Sequence, residues 1–253
     1  MSRLVASTVD WFLGLCCLFL LNPAAAQEPL RNTHHSASLH YSIVQLRVPT
    51  SRLVDGYRRH HQENCSATVI DTTPLTLLSA WHCFDGYDDL SRSPHILVGN
   101  HWVKARLLST GGSMSADWAL VTADASQIEL PHTLHPLPLL SREDTLLAAV
   151  IRVAGYPNSS DHQLPELWLS QGCPILDKTQ QWISAKCSAK KGVSGGPALL
   201  QRNARWFVVG VVSAARQSDQ TLLVTPLPPV AKLSLSGSPI NISDVRINQL
   251  GRY

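Results

Sequence analysis

After an apolar N-terminal stretch, the chain consists of short apolar runs broken at close intervals by turn-forming residues. Runs of β-favouring residues occur at 41–48, 67–70, 76–79, 96–98, 119–122, 150–154, 206–213 and 221–224. Between them stand Asp71-Thr72-Thr73-Pro74, Gly111-Gly112, Tyr156-Pro157-Asn158 and Arg216-Gln217-Ser218-Asp219, rich in residues that favour turns. Long helical periodicity is scarce. Many short strands at near-even spacing predict an all-β barrel or sandwich. The stretch from Trp206 to Val212 is apolar throughout, the pattern of a strand buried on both faces. Segment 130–138 contains Pro131, Pro136 and Pro138, and proline gives no N–H to a ladder. That segment is therefore predicted to connect two halves of the fold. A weaker helical pattern around 230–235 predicts a short C-terminal helix. No internal repeat or low-complexity segment stands out.

The N-terminus reads as an address. Arg3 precedes an apolar run from Trp11 to Leu21, Asn22-Pro23 breaks it, and Ala24-Ala25-Ala26 supplies the small residues of a cleavage site. The run is too short to span a bilayer, so residues 1–26 are expected to be a signal peptide. Residues 27–38 are expected to form a short propeptide or N-terminal extension. The mature chain is then a secreted protein, extracellular or periplasmic, with no lasting membrane anchor and no need to oligomerise. It is long enough to bury one or two cores. Charged residues make up 15% and the formal net charge is +3, so a nucleic-acid partner is not expected. The Arg58-Arg59-His60-His61 run is read as a solvated loop. The 11 histidines are scattered without zinc-site spacing, so no metal is expected.

Of the 6 cysteines, Cys16 and Cys17 would leave with the signal peptide. Cys65, Cys83, Cys173 and Cys187 remain, an even number in a chain bound for an oxidising compartment. Three pairings are open; the two local ones, Cys65–Cys83 and Cys173–Cys187, are favoured. Each closes a short loop, worth about 3 kcal/mol if the effect is chain entropy. Asn64, Asn158 and Asn241 each open a glycosylation tripeptide, relevant only in a eukaryotic source.

The strongest chemical signal is Lys191-Gly192-Val193-Ser194-Gly195-Gly196-Pro197. A hydroxyl nucleophile needs a base, a group that orients the base, and donors for the oxyanion. Glycines around Ser194 let the backbone turn sharply, so the amides of Gly192 and Ser194 can aim at one point. Ser79-Ala80-Trp81-His82-Cys83 supplies a base on a loop that a disulfide can tether. Ala116-Asp117-Trp118 places a carboxylate just before an apolar strand. Each feature alone has an ordinary structural explanation: a glycine-rich turn, a surface histidine, a turn aspartate. Their joint appearance in the order His, Asp, Ser makes the case.

That order, with its flanking residues, resembles the chymotrypsin/trypsin family across most of the mature chain. The strand leading to Ser213 looks like the family strand whose serine pairs with substrate backbone. Val153-Ala154-Gly155-Tyr156-Pro157 is similar to the start of the second barrel in bacterial-type members such as glutamyl endopeptidases. The resemblance implies two packed antiparallel β-barrels, 39–135 and 136–253, with the site in the crevice between them. It implies a serine endopeptidase acting on proteins or peptides through an acyl-enzyme, with His82 as general base and acid. Asp117 would orient the imidazole, Ser194 would attack, and no cofactor would be needed.

The sequence departs from the family at the latch. Members activated by cleavage pair a freed ammonium with an aspartate before the catalytic serine, and Val193 occupies that place. The oxyanion loop is therefore expected to be held by packing, independent of a trimmed terminus. Substrate-pocket candidates are Ser188, Ser213 and Ala215. Ser188 stands where Arg/Lys-specific members carry aspartate, and Val212 where many Glu-specific members carry histidine. Ala215, in place of glycine, should narrow the pocket, favouring small or medium apolar side chains. Lys190 and Lys191 are read as solvated. Two rivals remain: a non-catalytic binding protein on the same scaffold, and a secreted esterase or acyltransferase using the same acyl-enzyme chemistry. The α/β-hydrolase version of the esterase is excluded, because its serine precedes Asp and His.

Overall fold

Strand β1 (Ile43–Val54) shows how the barrel is specified: Val44, Leu46 and Val48 are buried while Gln45, Arg47 and Pro49 face outward. One face meets the core and the other water, as expected for period-two alternation. In this computed structural model, residues 39–87, 92–123, 134–140, 145, 148–158 and 166–227 are described. The signal peptide, the 27–38 extension, the 230–235 helix and Asn241 lie outside the described residues.

Asp55 and Gly56 join β1 to β2 (Tyr57–Thr72), with φ of 53° and 78°. This is the two-residue turn whose twist suits a hairpin. The Arg58-Arg59-His60-His61 run, expected in a loop, is instead strand: it opens β2 and pairs with β1 from Leu53 back to Thr50. It is solvated, as read. With no buried face along this arm of β2, the sequence has no apolar alternation to betray the strand.

β3 (Leu75–Ser79), β4 (His95–Val98), β5 (His101–Thr110) and β6 (Ala119–Ala123) complete a closed barrel in the order β1-β2-β3-β6-β5-β4. The second barrel uses β7 (Val150–Gly155), β9 (Cys173–Lys178), β10 (Ile183–Lys186), β11 (Pro197–Arg202), β12 (Arg205–Arg216) and β13 (Thr221–Pro226). Its ring runs β11-β12-β13-β10-β9-β7 and closes where Ala198 and Leu199 of β11 pair with Val153 and Arg152 of β7. The two-residue β8 (Trp168–Leu169) adds to β7. The fold is thus all-β, two antiparallel six-stranded barrels.

β12 binds the barrels together. Val208 and Val211 pack in the core shared with the first barrel, and Val209 and Val212 fill the second core. Residues 208–213 are buried on both faces; the apolar run 206–212 predicts this, and within it only Phe207 is half-buried. Segment 134–140 runs across both barrels: Leu137 N–H donates to Val69, and Pro138 and Leu140 pair with Val208. Cys65 is joined to Cys83 and Cys173 to Cys187, the local pairing. No helix among the described residues is long and apolar enough to cross a membrane.

Candidate active site

Asp117 sits just ahead of β6, its side chain wholly buried. A buried carboxylate is costly unless donors converge on it, and here three do. His82 gives its backbone N–H to Oδ1 at 2.8 Å, and its Nδ1 lies 2.7 Å from Oδ2. The Ser213 hydroxyl donates a very short hydrogen bond to the same Oδ2. Burial alone would push the Asp117 carboxyl up. The hydrogen bonds and charge of His82, with the Ser213 bond, outweigh that and hold it below its ordinary value. With Nδ1 engaged as a donor, the neutral imidazole leaves Nε2 as its acceptor.

His82 lies in a single 3-10 turn (Trp81–Phe84) directly after β3. The Cys65–Cys83 disulfide ties that turn to β2. Cys65, His82 and Cys83 crowd within 4.8 Å, but both sulfurs are spent in the disulfide and cannot serve as thiolate ligands.

The Ser194 loop is stitched to the same elements. Ser66 N–H donates to Ser194 O at 2.8 Å, and Gly195 N–H donates to Val212 O at 2.9 Å. Gly195, at φ 78°, presses so closely on β2 and β3 that a Cβ there would lie 2.4 Å from Ser66 O and 2.2 Å from Ser79 Oγ. Any other residue would push the nucleophile loop away from the histidine turn. Ser194 itself is half-buried, and among the described residues its hydroxyl has no hydrogen bond, to His82 or elsewhere. Such bonds often tighten only when substrate arrives. The amides of Gly192 and Ser194 likewise have no partner among the described residues, whereas those of Val193, Gly195 and Gly196 are all engaged.

The structure thus brings His82, Asp117 and Ser213 into direct contact and ties the Ser194 loop to both of their supports. Ser213 falls where the β12–β13 register shifts, between Val212 and Ala214. Such an irregularity re-aims a side chain, and this one turns the hydroxyl onto Asp117. Ser188 is half-buried after β10, and Ala215 is exposed on β12. Among the described residues, neither is hydrogen-bonded to the His82–Asp117 pair. Sequence reasoning missed Ser66 and Ser79, whose hydroxyls support the loop; their positions beside Cys65 and before the histidine turn were the only signal. Tyr156 is half-buried against the first core, and desolvation pushes its phenol up to about 12.

Residues 44–233 match the family model Trypsin, well over half of the chain. The chain belongs to the trypsin family. That makes it a protease by family, with proteins as substrates. Solved structures agree in fold. The Rv3671c protease from M. tuberculosis in its active form aligns with TM-score 0.58 at 20% identity, covering 86% of this chain and 98% of the other. Its inactive form gives 0.54 at 20% identity, covering 81% and 93%. No curated protein sequence is similar enough to the chain to count as a match.

Proposed function

We propose that this trypsin-family chain is a secreted serine endopeptidase that cleaves peptide bonds through an acyl-enzyme. The observation that carries the reading is the buried Asp117 carboxylate, which grips His82 by both its ring and its amide. Ser194 attacks the scissile carbonyl while His82 Nε2 takes its proton and later returns it to the leaving amine. Asp117 fixes the tautomer and stabilises the imidazolium. The amides of Gly192 and Ser194, which have no partner among the described residues, receive the oxyanion. Secretion behind a 1–26 signal peptide is supported by the two disulfides, which persist in oxidising compartments.

The test is covalent labelling with a fluorophosphonate probe. Wild type should react at Ser194, and His82→Ala should abolish the reaction. An unreactive wild-type protein would leave a protease-fold binding protein as the better reading.

For the side chain preceding the cleaved bond, we propose a preference for small or medium apolar groups, supported by Ser188 and Ala215. Neither supplies the charge that would recruit Arg or Lys. A peptide-library cleavage profile checks this; dominant cleavage after Arg or Lys would refute it.

A further inference from the structure

We infer that the Ser66 hydroxyl holds the oxyanion loop in its productive shape, replacing the ionic latch that Val193 precludes. This rests on the triad reading above and adds a positioning residue to it. Val193 is fully buried in the second core, so its side chain offers nothing for an ammonium to pair with. Burial anchors the residue, but apolar packing is non-directional and sets no peptide orientation.

Hydrogen bonds set it instead. The peptide before Gly192 is pinned because Asn158 N–H donates to Lys191 O at 2.8 Å. In a trans peptide the N–H points opposite to the C=O, so this bond turns the Gly192 N–H outward. The peptide after Gly192 is pinned by Ser66, whose Oγ donates to Gly192 O at 2.8 Å. Tyr156 N–H donates to the same Oγ at 2.8 Å, which leaves the hydroxyl proton for Gly192. Ser66 is fully buried. Every polar group of Ser66 serves this junction: its N–H bonds Ser194 O and its carbonyl accepts from Ser79 Oγ. Gly155 makes room for it, since a Cβ there would lie 2.7 Å from Ser66 Oγ.

The hold matters because of what Gly192 is. At φ 95° it has no side chain to resist rotation. The Gly192–Val193 peptide lies between the two peptides that carry the Gly192 and Ser194 N–H donors; its N–H is held by Lys190 O at 3.2 Å and its carbonyl by Ser66. Without the Ser66 bond that carbonyl loses its partner, and rotation about Gly192 tilts the neighbouring peptides so that the two donors no longer converge on one point. Ser66, from the first barrel, therefore sets the shape of a loop in the second.

The experiment compares Ser66→Ala, Ser66→Gly and Ser66→Thr with wild type. Losing one oxyanion donor costs about 10²–10³-fold in kcat, so loosening one should cost roughly 10–100-fold. KM should stay within about threefold, because the interaction is made in the transition state. Affinity for a peptide boronate should fall by the same factor as kcat. Peptide binding measured in the Ser194→Ala background should not change, and Ser66→Thr, which keeps the hydroxyl, should recover most of the activity. A loss expressed in KM, or Ala and Gly variants within about twofold of wild-type kcat, would overturn the inference. If neither variant folds, the hydroxyl is a folding device and the inference also falls. Fluorophosphonate labelling of wild type decides the triad reading separately, so the two can fail independently.

Discussion

Ser194→Ala should cut kcat about a millionfold while moving Tm by no more than about 1–2 °C. The activity loss follows from how triads work: nucleophile and base act as a unit, so removing either forfeits nearly all of what the set provides. The small thermal effect follows from the site. Ser194 is half-buried, its hydroxyl makes no hydrogen bond among the described residues, and the loop is held through its backbone. Deleting a hydroxyl that holds nothing falls within the roughly 0.5 kcal/mol of ordinary surface changes. Adding His82→Ala to Ser194→Ala should cost little more, since the unit is already broken. Steady-state kinetics on a protein substrate, with thermal melts of the same samples, measure both halves. Residual kcat above about 1% of wild type would mean that another group is the nucleophile.

The residues of the candidate site were legible because their chemistry is local. Gly192 and Gly195 announce a loop with unusual backbone, and Cys83 beside His82 announces a tethered turn. Strands were legible only where burial left an apolar mark, as in β3 and β12. β5 was missed although Val103 and Ala105 are buried and alternate with the exposed Lys104 and Arg106; the charges broke up any continuous apolar run, and the alternation was the mark to read. β9 has a single buried residue, Cys173, and β11 is hidden behind the glycine loop before it. The Ser66 contact was illegible for a different reason. It joins residues 126 apart across two barrels, and no local pattern marks a serine whose partner is another loop's carbonyl.

Asp117→Asn should lower kcat about 10⁴-fold at neutral pH, and the hydrogen bonds around the carboxylate say why. Three donors converge on Asp117: the His82 amide, the His82 ring and the Ser213 hydroxyl. A carboxylate accepts through both oxygens, whereas asparagine offers one acceptor and one NH₂ donor. If the oxygen faces the His82 amide, the NH₂ faces Nδ1 and makes that nitrogen the acceptor. The ring proton then sits on Nε2, where it cannot take a proton from Ser194. If the amide flips, its NH₂ meets the His82 N–H head-on. Neither arrangement satisfies all the donors. The substitution also removes a pH dependence of stability. Asp117 is held below its ordinary value of 3.8, so its contribution is present above that pH and is lost as pH falls through the lower folded value. The Tm gap between wild type and Asp117→Asn should therefore be widest near neutrality and shrink below about pH 4. Melts from pH 3 to 7, with kcat at pH 7, test both points. A gap that widens in acid, or kcat within about tenfold of wild type, would show that the buried carboxylate does not govern the histidine.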